Sequence, residues 1–183
     1  MTVYADTPRW PRHGLLWGHL VSDASLEELH ATAARAGLPG RAFDLDHYDW
    51  PEGREADLAT AGVVTVGDGE LTRRLIASGL RVPLRDRPAA RARRSAAHAA
   101  ELGLRPVPTD LVLGPIGHAD PLPAEAPPGS FRLGCEEVGA AARIEAPDRA
   151  GREAGLALRE HLDALARAAG RPGFTGQVLQ LAG

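Results

Sequence analysis

The stretch Phe43-Asp44-Leu45-Asp46-His47-Tyr48-Asp49-Trp50-Pro51 places three carboxylates, an imidazole and a phenol within the six residues from Asp44 to Asp49. Side chains of these types can hold a divalent cation, move a proton or bind an anionic substrate. His47 and Asp49 are two apart, so on a strand both project to one face. With Asp6, which closes the first expected strand, they offer the nitrogen and oxygen ligands that divalent metals take. The alternative is a short polar turn in which Asp44 and Asp46 bond local backbone.

Four of the seven histidines (His13, His19, His30 and His47) fall in the first 49 residues. His19 lies between apolar residues. If its loop folds over the strand ends it can reach Asp49 and act as a general base. Its other reading is a partly buried ring bonded to a backbone carbonyl. His30 falls on the apolar face of an expected helix, where a satisfied core histidine fits best. Tyr48 can donate a hydrogen bond to an oxyanion or phosphate, or pack its ring with the hydroxyl at the surface. The candidate set is therefore Asp6, His47 and Asp49 for a metal, with His19 and Tyr48 as catalytic groups. Cys135, between Gly134 and Glu136-Glu137, needs a base to be a nucleophile, and His118 is the obvious one. The two glutamates would raise the thiol pKa and make it less reactive.

Composition narrows the chemistry further. All 21 basic residues are arginine, so there is no lysine to form a Schiff base, fill a P-loop or act as a base. Gly67-Asp68-Gly69 lacks the third glycine and the length of a dinucleotide or P-loop motif. The net charge of -3 gives no global pull toward nucleic acid or an anionic membrane. The five arginines at 85, 87, 91, 93 and 94 are the one basic concentration. They could contact phosphates, but no aromatic residue is interleaved, and a solvated helix face is the simpler reading. No apolar run reaches the ~20 residues of a membrane span. The first residues do not resemble a secretory signal. One cysteine permits no intrachain disulfide, which suits a reducing cytoplasm.

The elements that must position these residues follow from punctuation and period. Residues 2–6 read as a strand. Residues 7–22 begin irregularly around Pro8 and Pro11, then turn apolar. Ser25 and Glu28 form a capping box for a helix that Gly37 ends. A short strand is expected over 47–50, then a helix from Pro51 to about Ala61, then Val63-Val64-Thr65-Val66 as the clearest strand. Asp68 is the expected cap of a helix over Glu70 to Ser78. Prolines crowd 83–130 around one basic helix from about Ala89 to Leu102. Residues 131–144 are ambiguous. Asp148 can cap a helix to about Ala169 with Leu158, Leu162 and Leu165 as its apolar stripe, and Gln177 to Leu181 can form a closing strand.

Three stretches together resemble the bacterial and phage family known as domain of unknown function 4031. They are Thr2-Val3-Tyr4-Ala5-Asp6; Leu16-Trp17-Gly18-His19-Leu20-Val21-Ser22-Asp23 leading into Leu26-Glu27-Glu28-Leu29-His30; and His47-Tyr48-Asp49, followed by a helix and a Gly-Val-Val-Thr-Val strand. Ala5 and Trp50 depart from the family's usual larger apolar and aliphatic residues, which bears on packing. The resemblance covers about the first 82 residues. It implies that Asp6, His19, His30, His47, Tyr48 and Asp49 match the family's polar signature, and it implies no activity.

The alternation of strands and helices predicts an α/β class. The expected architecture is a small three-layer domain over residues 1–82, with a short, mostly parallel sheet in order 2-1-3 or 1-2-3. A Pro/Arg-rich connecting segment over 83–130 follows. The C-terminal helix and strand of 131–183 are expected to pack onto the first domain. The function expected is a metal-dependent hydrolase of a phosphoester or nucleotide-like substrate, its cofactor a divalent metal ion. The alternative is a non-catalytic small-ligand or protein-interaction module. The partners that fit are a small-molecule or nucleotide ligand and a second copy of the chain. Nucleic acid has only the arginine run in its favour.

Overall fold

The computed structural model describes residues 1–114, 116–135 and 142–183. Glu136 and Glu137, the glutamates weighed against Cys135 as a nucleophile, lie outside the described residues, as does the middle of the ambiguous 131–144 stretch. The chain divides into two compact units, Met1–Ala90 with Gly114–Ile116, and Arg91–Leu113 with Gly117–Gly183. No helix among the described residues is long and apolar enough to cross a membrane.

The first unit is built on a six-stranded sheet. Its strands are β1 (Val3–Ala5), β2 (Trp10–Arg12), β3 (Leu15–Ser22), β4 (Phe43–Asp44), β5 (His47–Pro51) and β6 (Val64–Thr65). The order is β4-β5-β3-β1-β6, with β2 on β3. The expected mostly parallel sheet is corrected: β1–β6 is its one parallel pair, and the other pairs are antiparallel. The cause is connection length. Parallel neighbours need a crossover of a dozen residues or more, whereas two residues suffice for an antiparallel turn. His13 and Gly14 both have positive φ between β2 and β3, the backbone of a tight hairpin turn whose twist matches its strands. Leu45-Asp46 makes the equally short turn from β4 to β5. Leu45 has φ 60°, a conformation that costs a branched side chain energy, so strain lies beside the polar cluster.

Strand alternation divides the side chains between two faces. On one face Val3, Ala5, Leu20, Tyr48 and Trp50 form a core with Leu29 and Ala33 of helix α1 (Leu26–Arg35) and Leu58 of helix α2 (Glu55–Thr60). On the other, Tyr4 and Val21 meet Leu71 and Leu75 of helix α3 (Asp68–Ala77). Ser25 caps α1 as expected, accepting from the Glu28 backbone N–H at 3.1 Å, while the Glu28 carboxylate turns instead to the Ser22 hydroxyl. Pro51 ends β5 and does not open the next helix, which starts at Glu55. The Val63–Val66 run gives only the two-residue edge strand β6. Gly67, not Asp68, is the N-cap of α3.

The second unit has its own sheet, order β7-β10-β8-β9, with every pair antiparallel. The strands are β7 (Asp110–Val112), β8 (Phe131–Gly134), β9 (Arg143–Glu145) and β10 (Gln177–Gln180). Asp148 caps helix α5 (Arg149–Ala168), as its sequence predicts. The expectation that this helix and the closing strand cover the first sheet is corrected. Leu158, Leu162 and Leu165 pack in a second core with Leu111, Leu133, Phe174 and Val178. β10 runs between β7 and β8 rather than adding to an open edge of the first sheet. Cys135 is buried in this second core, at 4% exposure. The arginines of helix α4 (Arg87–Leu102) are not all solvated: Arg94 is buried, its Nη2 2.8 Å from Asp110 Oδ1.

Candidate metal centre

Register brings the candidate residues together. His19 on β3 lies directly across from Asp49 on β5, and Asp44 across from His47. Cross-strand partners project to the same face, and His47 shares that face with Asp49 by the two-residue period. One ligand atom from each of His19, His47 and Asp49 lies within 4.8 Å of the other two. The His19 and His47 rings meet edge to face at 5.3 Å between centroids.

Each imidazole is held by a carboxylate. Asp6, 2% exposed at the end of β1, accepts the His19 backbone N–H on Oδ1 and the His19 Nδ1–H on Oδ2 at 2.9 Å. His47 Nδ1–H donates to Asp46 Oδ1 at 2.8 Å. The Asp46 carboxylate is itself fixed by the Val82 N–H, at 2.8 Å, and by Arg81. An ionised carboxylate can only accept, so both rings carry a proton on Nδ1. That leaves Nε2 of each for other work, and His47 Nε2 faces Asp49 Oδ1 at 3.5 Å.

The charges are strongly coupled. Burial alone would favour a neutral His47. Hydrogen bonds to Asp46 and Asp49, with the charges of Asp49 and Asp44, outweigh it and push its pKa up to about 10. Burial raises the Asp49 pKa above the usual carboxylate range, against the pull of His47. Asp46 is also buried, but the bonds from His47 and the Val82 N–H bring its pKa below the usual value. Titratable groups perturbed by burial and by a specific charge partner gather at functional sites, and in structural ion-pair networks as well.

The remaining candidates fall elsewhere. Tyr48 sits between His47 and Asp49 in sequence, so alternation sends it to the opposite face. There its hydroxyl shares a 2.8 Å hydrogen bond with His30 Nδ1, and both rings pack on Phe43. Burial raises the Tyr48 pKa. His30 is exposed rather than a core histidine. The catalytic place expected for Tyr48 is thus on the far side of the sheet from His19. Sequence reasoning missed two neighbours. Asp46 bonds His47 and the distant Val82 backbone, not the local backbone alone; its adjacency to His47 was the available signal. Trp10 reaches His19, with ring centroids 6.3 Å apart, through a β2–β3 hairpin that only the His13-Gly14 turn announces.

Gly18 sets the spacing of the site. A Cβ there would lie 2.8 Å from Trp50 Nε1 and 2.9 Å from Asp6 Oδ1. Trp50 Nε1 donates to the His19 carbonyl at 3.2 Å, so the same intrusion disturbs the strand that carries His19. Gly18→Ala should therefore destabilise the protein by about 1–3 kcal/mol, the usual cost of overpacking. Thermal melting checks this, and an unchanged midpoint would show that Asp6 and Trp50 can yield.

Residues 3–78 match the family described as "Protein of unknown function (DUF4031)". The match runs from β1 to the end of α3 and contains Asp6, His19, His47 and Asp49. Arg81 and Val82, which hold Asp46, lie just beyond it. No curated protein and no solved structure matches the chain.

Proposed function

We propose that the first unit is a metal-dependent hydrolase acting on a phosphoester or nucleotide-like substrate. The observation that carries this reading is the pair of carboxylate–imidazole couples, Asp6–His19 and Asp46–His47, beside the Asp49 carboxylate, with one ligand atom from each of His19, His47 and Asp49 within 4.8 Å of the others. Metal-binding histidines commonly donate their second N–H to a carboxylate, which fixes tautomer and orientation. Two imidazoles and one carboxylate also form a three-ligand set, which leaves a coordination position for water or substrate, as catalytic sites require.

The roles differ from those the sequence suggested. Both Asp6 oxygens are engaged by His19, so Asp6 orients a ligand and is not one. His19 becomes a ligand in place of a base, and Tyr48 has no part. A divalent ion held by His19, His47 and Asp49 would polarise a phosphoryl oxygen and lower the pKa of a water. Asp44 faces the same side as His47, is partly exposed, and acts electrostatically on both His47 and Asp49. On this reading Asp44 is the carboxylate that would receive a proton from the attacking water.

Elemental analysis after dialysis against micromolar manganese or zinc tests the first step. About one ion per chain is expected, together with hydrolysis of bis(p-nitrophenyl) phosphate. Asp49→Ala should remove both. Failure of the chain to retain either ion at micromolar concentration would overturn the reading. Retention without turnover of any phosphoester offered would reduce the site to a ligand-binding module.

A further inference from the structure

The face that bears His19 and His47 continues into an apolar strip that is partly exposed. Tyr4 and Val21 lie under α3. Farther along, Trp10 is 50% exposed and Leu15 is 42% exposed. Both share the face of His19: Trp10 is the cross-strand partner of Trp17, and Leu15 and Trp17 alternate in step with His19. Single exposed apolar residues are ordinary. Trp10 differs because it is held in place. Its ring meets the His19 ring edge-on at 6.3 Å, and the Arg9 guanidinium lies over it at 5.3 Å from the centroid. Arg9 is in turn tied to Asp68 at the start of α3. The backbone beneath is fixed too, since the Arg9 N–H donates to the Trp17 carbonyl at 3.0 Å.

We infer that Trp10 is a stacking platform for a nucleobase, so that the substrate class of the neighbouring centre is a nucleotide whose phosphate lies at His19, His47 and Asp49. The inference rests on the hydrolase reading for the position of the phosphate, and on Trp10 itself for the base. Every nucleobase presents a π-face, and stacking on an exposed aromatic ring contributes to binding without reading a particular base. Arg9 lies over one face of the indole, so the base would stack on the other, and its positive charge suits an anionic nucleotide. The platform adjoins the centre, with the Trp10 and His19 ring centroids 6.3 Å apart.

The test compares binding of AMP and of ribose 5-phosphate by equilibrium dialysis, on the full chain and on Trp10→Ala and Trp10→Phe, with metal content measured on each sample. AMP should bind the unaltered chain on the order of tenfold more tightly than ribose 5-phosphate. Trp10→Ala should erase that preference with metal content unchanged, and Trp10→Phe should keep most of it. Equal binding of the two probes by the unaltered chain would overturn the platform. So would a preference that survives Trp10→Ala. A chain that takes up no metal but keeps a Trp10-dependent preference would support the platform while overturning the hydrolase reading.

Discussion

Metal affinity should rise about tenfold for each pH unit between roughly 6.5 and 8.5, because coordination must displace a proton from His47. Asp46 and Asp49 hold the imidazolium so firmly that its pKa is about 10. Over the whole accessible range an ion bound as proposed would therefore compete with a bound proton, at one proton per ion. The sign for the metal-free protein is opposite. The folded pKa of His47 lies above its unfolded value near 6.5, so its protonation stabilises the fold fully below pH ~6.5. That contribution fades as pH rises through about 10. Alkaline conditions should thus weaken the metal-free fold while leaving a metal-bound one, which carries no proton on that nitrogen, nearly unchanged, and the gap between their melting temperatures should widen with pH. His47→Ala removes both the ligand and the competing proton. It should reduce affinity by two orders of magnitude or more and flatten the pH slope, given that even partners outside the coordination shell cost 10–100-fold. Isothermal titration at several pH values reads this directly. A slope near zero in the unaltered protein, or a His47→Ala variant that binds normally, would count against His47 as a ligand.

The second large effect lies in the other unit. Asp110, 2% exposed at the start of β7, accepts from Arg94 Nη2 at 2.8 Å, from the Ser95 hydroxyl at 3.2 Å and from the Asp120 N–H at 2.9 Å. The Arg94 side chain is only 6% exposed, so the carboxylate offsets a charge that water cannot reach well. Asp110→Ala removes this buried carboxylate from Arg94 and strands two further donors. The cost should be about 3–5 kcal/mol, the range found when one partner of a buried pair is deleted. In a unit of this size, melting should fall by more than ~10 °C. Replacing both members, Arg94→Met with Asp110→Leu, should recover much of the loss, since an apolar pair of similar volume bears no buried charge. Melting curves for the two single variants and the double variant form the cycle. A single variant within a kilocalorie or so of the parent would show that solvent or other groups compensate Arg94.

What was legible from the sequence was local. Ser25 and Asp148 cap their helices because a side-chain oxygen needs to reach only three residues ahead. The α/β character follows from hydrophobic period, and the shared face of His47 and Asp49 follows from a two-residue repeat. The same repeat also carries Tyr48 to the other face, where His30 meets it. The resemblance over the first 82 residues marked the stretch that holds the polar cluster. The decisions left to tertiary structure were those of strand pairing. Asp6, His19 and Asp49 are separated by 13 and 30 residues and meet only because β3 lies between β1 and β5 in one register. A slip of one residue would send His19 to the opposite face. The direction of each strand, the separate sheet that claims β10 and the Leu158–Leu165 stripe, and the approach of Val82 to Asp46 are likewise non-local. No short window of sequence encodes them, because each depends on which distant hydrogen-bonding edges and apolar faces find one another first.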